Sequence, residues 1–89
     1  MTLDEFTEKH ELTFVVNEMS AGAQEFHGFK FAAKHEGLSR FSNRIGCNLI
    51  GAYGLGDTRE DAIQEYKNNI SEQIIRLPDF AVIKAPCIV

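Results

Sequence analysis

The chain has no tryptophan, only two prolines and two cysteines, and no apolar run approaching the roughly 18 residues that a membrane helix needs. Each absence excludes something. Without a long apolar run there is no membrane-spanning helix to expect. Asp4, Glu5 and Glu8 stand where a secretory leader would be basic, so the expected compartment is the cytoplasm. Cys47 and Cys87 lie far apart in apolar settings, with no Cys-x-x-Cys spacing. That argues against a disulfide framework or a zinc knuckle and for two buried free thiols. No linker, internal repeat or low-complexity tract interrupts the sequence.

What is present is enough for one modest core. The 89 residues are 44% hydrophobic with seven phenylalanines, which suits a single domain over residues 1–89 that folds without staples. The net charge of −4 is unevenly spread. Residues 1–25 set six acids against Lys9, and residues 57–89 set six acids against four bases. Between them, Lys30, Lys34, Arg40 and Arg44 face Glu36 alone. In so small a domain these regions lie within about a Debye length of 8–10 Å, so the fields partly cancel and the surface reads as mixed and solvated.

Thr2 with Glu5 three residues on forms a capping box, and Leu3, Phe6 and His10 share the inner side of a short first helix. Leu12 to Asn17 is β-branched and aromatic and reads as a strand, ending at a small-residue turn, Ser20 to Ala23. From Phe26 to Lys34, Phe29, Phe31 and Ala33 alternate with Gly28, Lys30, Ala32 and Lys34, the pattern of a strand with one buried face. Gly37 opens a loop. A third apolar run, Ile45 to Tyr53, is broken by Gly46 and Gly51 and reads as a bulged strand. Thr58 then caps a helix whose apolar positions, Ala62, Ile63, Tyr66, Ile70, Ile74 and Leu77, recur at three- and four-residue spacing until Pro78. Phe80 to Val89 resumes strand character, confined to an edge or an extended tail by Pro86.

The expected architecture is therefore α+β, α-β-β-β-α-β, with an antiparallel sheet of three or four strands and two helices on one of its faces. Chemistry is harder to find. Gly51, Gly54 and Gly56 before a helix invite a phosphate-loop reading, but Asp57, Glu60 and Asp61 occupy the helix start and would repel an anion. The glycines are read instead as a tight strand-to-helix turn. His10, His27 and His35 lack the spacing that sets metal ligands on one helix face. No nucleophile signature surrounds the serines or cysteines, and the paired acids sit at helix starts. No catalytic residue, metal or cofactor is assigned, and the chain is not expected to be an enzyme. Phenylalanines interleaved with Lys30, Lys34, Arg40 and Arg44 are the strongest nucleic-acid signal, since aromatic faces stack bases while cations follow the backbone. The plainer reading makes Phe29 and Phe31 core residues and the lysines their solvated neighbours.

The order helix, three strands, helix, with Gly54 and Gly56 leading to Thr58 and the last helix, resembles the double-stranded-RNA-binding domain over about residues 2–77. That resemblance implies the scaffold and not the function, because Arg59, Glu60, Asp61 and Gln64 stand where that family carries a lysine-rich phosphate grip. Gly46-Cys47 followed by Gly56-Asp57-Thr58 is similar to the core of the HicB antitoxins, though with a longer separation and no DNA-binding region after it. As a small acidic chain without cofactor motifs, it also resembles inhibitor and accessory proteins of bacteriophages and mobile elements. The expected function is binding of a protein partner. A HicB-like antitoxin and a nucleic-acid module using residues 30–44 are the alternatives. The apolar C-terminal segment supplies the candidate interface, Phe80, Val82, Ile83 and Ile88. It either pairs as an edge strand with a second copy or a partner, or completes the monomer core.

Overall fold

Thr2 closes the start of the first helix reciprocally. Its Oγ1 accepts the Glu5 N–H at 3.1 Å, and the Glu5 carboxylate accepts the Thr2 N–H at 3.0 Å. These contacts hold Glu5 below the usual carboxylate range, the backbone hydrogen bond first. The computed structural model, which describes residues 1–41 and 49–89, runs on from this helix, α1 (Leu3–Lys9), to β1 (Phe14–Glu18), α2 (Ala21–His27), β2 (Phe31–His35) and β3 (Ser39–Phe41). Then come β4 (Leu49–Gly51), β5 (Gly54–Gly56), α3 (Arg59–Ile70), β6 (Ile74–Arg76) and β7 (Val82–Lys84). The strands form two antiparallel sheets, a first in the order β1-β2-β5 and a second in the order β4-β3-β6-β7.

One bent hairpin feeds both sheets. Ala33 pairs with Gly54 in the first sheet and Ser39 with Gly51 in the second. Residues 34–38 on the outgoing strand are thus matched by only Ala52 and Tyr53 on the return. The surplus makes a turn at Gly37, whose φ of +74° suits glycine, and the two halves of the hairpin separate.

Gly54 and Gly56 lie in a strand, not in the expected turn. A Cβ on Gly54 would collide with the Ala62 carbonyl and the Tyr66 N–H, and one on Gly56 with the backbone of Ala62 and Asp61. The backbone of α3 therefore rests directly on β5. Thr58 caps that helix as expected, its Oγ1 accepting the Asp61 N–H at 3.1 Å. Arg59 fastens its first turn to the first sheet, donating to the Val16 carbonyl at 3.3 Å and lying 5.5 Å from the Phe31 ring centroid. The core gathers between these layers: Leu3 and Phe6 from α1, Ala33 from β2, Ala62, Tyr66 and Ile70 from α3, and Ile75, Leu77, Ala85 and Ile88 from the C-terminal region.

The α+β class and the alternation of Phe31 and Ala33 hold, and several details differ. There are two sheets where one was expected, and a further helix. Ser20 is not in a turn but caps α2, accepting the Ala23 N–H at 3.3 Å, and Gly28 ends that helix at φ +77°. Phe26 is consequently helical, and the strand expected from there begins at Phe31. Helix α3 stops at Ile70 rather than Leu77: Ser71 leaves the helical range at ψ 126°, and Glu72 turns to φ +61° with its N–H donating to the Pro86 carbonyl at 3.3 Å. The adjacent β-branched pair Ile74-Ile75 then takes strand geometry. Cys87 is exposed, not buried, and Gly46 and Cys47 lie outside the described residues.

Two stability changes follow from these contacts. Gly54→Ala should cost about 3 kcal/mol or more, since backbone and not a flexible side chain must move. Thr58→Ala should cost about 1 kcal/mol through loss of one cap acceptor. Urea denaturation followed by circular dichroism checks both. An alanine tolerated at Gly54 would mean that α3 does not lie where it is described.

Candidate functional site

Among the described residues His35, on β2, is an enclosed titratable side chain, 1% exposed. Its Nδ1 lies 2.6 Å from the Tyr66 hydroxyl and its Nε2 2.8 Å from Thr7 Oγ1. The His35 backbone N–H donates to the same Tyr66 oxygen at 3.2 Å, and Thr7 Oγ1 donates to the Leu3 carbonyl at 2.7 Å. One proton arrangement satisfies every member: Tyr66 O–H donates to Nδ1, and Nε2–H donates to Thr7. A second ring proton on Nδ1 would face the Tyr66 proton. Burial accordingly lowers the His35 pKa from 6.5 to about 4 and pushes the Tyr66 phenol well above its ordinary range. These hydrogen bonds join α1, β2 and α3.

The accessible features gather on the second sheet. Ile75 and Ile83 face inward, while Ile74, Arg76, Val82 and Lys84 face the other way. With Ser39, Phe41 and Leu49 they make a face that no described helix covers, and Ile74 and Val82 are 45% and 55% exposed there. At its end, Pro78, Asp79 and Phe80 form the three-residue loop of the β6–β7 hairpin. The Phe80 N–H reaches the Leu77 carbonyl at 2.8 Å, and the Leu77 N–H reaches the Ala81 carbonyl at 2.8 Å. The third loop residue of such a hairpin takes a left-handed conformation, for which glycine is the favoured choice. Here Phe80 takes it, at φ +69°, and its side chain is 73% exposed under the Arg76 guanidinium at 5.2 Å. Pro78, read from the sequence as a helix stop, opens this loop.

Strand β7 is an open edge of its sheet. The Ala85 N–H reaches the Gln73 carbonyl at 2.8 Å, and with the Leu77 to Ala81 bond this places the hydrogen-bonded register on residues 81, 83 and 85. The N–H and C=O of Val82 and Lys84 therefore point away from β6. Beside the edge lies a cleft of about 540 Å³ lined by Lys9, Glu72, Ile83, Lys84, Ala85 and Pro86 among others.

Of the four interface residues expected from the sequence, Phe80 and Val82 are exposed, and Ile83 is half-buried against the core. Ile88 is buried, its N–H bonded to Ser71 Oγ at 2.9 Å, and it belongs to the interior. The basic segment is distributed over both sheets. Lys30 pairs with Glu18 at 3.6 Å, and Lys34 lies exposed beside Tyr53 and Leu55. Arg40 is half-buried in a second hollow that Tyr53 and Leu55 also line, together with Glu65. Arg44 lies outside the described residues. Among the described residues no group of three His, Cys, Asp or Glu side chains converges as a metal site, and no helix is long and apolar enough to cross a membrane. Compared with models of known protein families, with curated proteins and with solved structures, the chain matches none.

Sequence reasoning missed the burial of His35 and the left-handed loop position of Phe80. The first was signalled by the alternation of Phe31 and Ala33, which continues to His35. The second needed the hairpin to be recognised from Pro78-Asp79 between two β-branched stretches.

The buried imidazole makes stability depend on pH. Between about pH 6.5 and 4 the unfolded chain binds a proton at this histidine that the folded chain does not. The contribution is complete above pH 6.5 and is lost as pH falls to about 4, a change on the order of 3 kcal/mol. Urea midpoints across that range should decline for the native chain and flatten for His35→Gln. Equal slopes would show that the imidazole is already charged in the fold.

Proposed function

We propose that the chain is a non-enzymatic binding protein that acts by protein–protein contact through the open face and edge of its second sheet. One observation carries the reading: Phe80 occupies a left-handed position and leaves most of its ring in solvent. A bulky residue in that conformation costs about 1–2 kcal/mol relative to glycine, and an exposed ring recovers little of it by burial. Strain kept at an exposed aromatic beside Ile74 and Val82 fits an anchor that becomes buried on a partner. An inhibitor or accessory protein of the bacteriophage and mobile-element kind works by such contact.

A nucleic-acid module is the second reading. Lys34 and Arg40 support it, each sharing a hollow with the exposed ring of Tyr53. The acidic net charge opposes it.

Phe80→Gly separates anchoring from folding. It should stabilise the chain by about 1 kcal/mol while weakening capture of a stoichiometric protein partner from a bacterial lysate by about tenfold or more. A gel shift with an RNA duplex at near-physiological salt should show no specific complex. Co-purifying nucleic acid, lost in Lys34→Ala and Arg40→Ala, would reverse the order of the two readings.

A further inference from the structure

We propose that β7 takes up an extended segment of the partner protein by strand addition, and that this segment reads acidic, apolar, apolar from its N-terminal end. The inference rests on the protein-contact reading above and specifies its chemistry.

The outward N–H and C=O groups of Val82 and Lys84 offer hydrogen bonds to one added antiparallel strand. Its middle residue then stands opposite Ile83, on the same side of the sheet. Ile83 and Ala85 line the cleft of about 540 Å³, which accepts an apolar side chain. The flanking residues point to the other side. One lies next to Val82, close to the exposed hairpin end at Phe80, and is apolar; the other lies opposite Lys84 and is acidic. Antiparallel pairing puts the acid first.

Charge selects this occupant over a second copy. The four strands of the second sheet carry Arg40, Arg76 and Lys84 and no carboxylate, although the chain as a whole is at −4. Two copies paired about Ile83 would set each Lys84 opposite the other copy's Val82, with no carboxylate on either strand to meet it. The short length of β7, its lysine and Pro86 further restrict pairing to brief segments with compensating charge.

The test is a titration of the isotope-labelled full chain, followed by NMR, with a short Ser/Thr-flanked peptide centred on Glu-Ile-Val and its Lys-Ile-Val counterpart. The Glu peptide should move the Val82, Ile83 and Lys84 amides. Lys84→Glu should weaken it by about tenfold and favour the Lys peptide instead. Val82→Pro, which removes an outward N–H that β6 does not use, should abolish both. If Val82→Pro fails to fold, the charge reversal alone decides. The proposal is overturned if the native chain binds neither peptide, if both folded variants bind as before, or if light scattering shows a native dimer that Val82→Pro dissociates. Partner capture that depends on Phe80 but is unaffected by Lys84→Glu and Val82→Pro removes strand addition and leaves the protein-contact reading. Capture of no protein removes both.

Discussion

Helix α3 rests on the bare backbone of β5, and the positions of the other elements follow from that contact. Two glycines let the helix approach until main chain meets main chain, with no side chain between them. So close an approach brings the Tyr66 hydroxyl across the first sheet to His35, and His35 in turn to Thr7 on α1. Three elements distant in sequence are thereby joined through neutral hydrogen bonds around the buried His35 and Tyr66, where an unpaired member would be costly. Among the described residues, no buried side-chain polar atom lacks a partner.

The same contact leaves the second sheet exposed. Helix α3 covers the first sheet, and the hairpin that passes between the sheets bends where residues 34–38 exceed their return strand. Beyond the bend, only the inner side of the second sheet reaches the core, through Ile75 and Ile83. Its outer side keeps Ile74 and Val82 in solvent with Arg76 half-buried, and the β6–β7 hairpin presents Phe80 at its end. The buried hydrogen-bond chain and the exposed apolar side chains thus lie on different sheets. A stabilising change at Phe80 and a destabilising one at Gly54 need not affect the same property.

Local signals were legible in the sequence where side chains act on their own backbone. The caps at Thr2 and Thr58 are examples, as is the alternation at Phe31 and Ala33. The Ser20 and Gly28 boundaries of α2 were equally local, but the small residues between them suggested a turn. Long-range causes were not legible. Gly54 and Gly56 look like turn residues until a helix is set upon them. The apolar spacing of Ile74 and Leu77 continues a helical pattern past the boundary where the backbone turns at Ser71 and Glu72 and the Glu72 N–H bonds to the Pro86 carbonyl. Of the candidate interface, Phe80 and Val82 are exposed, whereas Ile88 is buried and could not be separated from them in the sequence because burial depends on partners across the fold. Lys34 and Arg40 are close in sequence, yet one lies on the first sheet and the other on the second.

The central claim is that the edge of β7 is open in the free chain and available to a partner. Residue-resolved amide hydrogen exchange tests it most directly. The Ile83 and Ala85 amides, bonded within the β6–β7 ladder, should exchange slowly, and those of Val82 and Lys84, one residue away, should exchange nearly as fast as in an unstructured peptide. Strong protection of Val82 and Lys84 in the isolated monomer would mean that the edge is already covered, and would contradict the account.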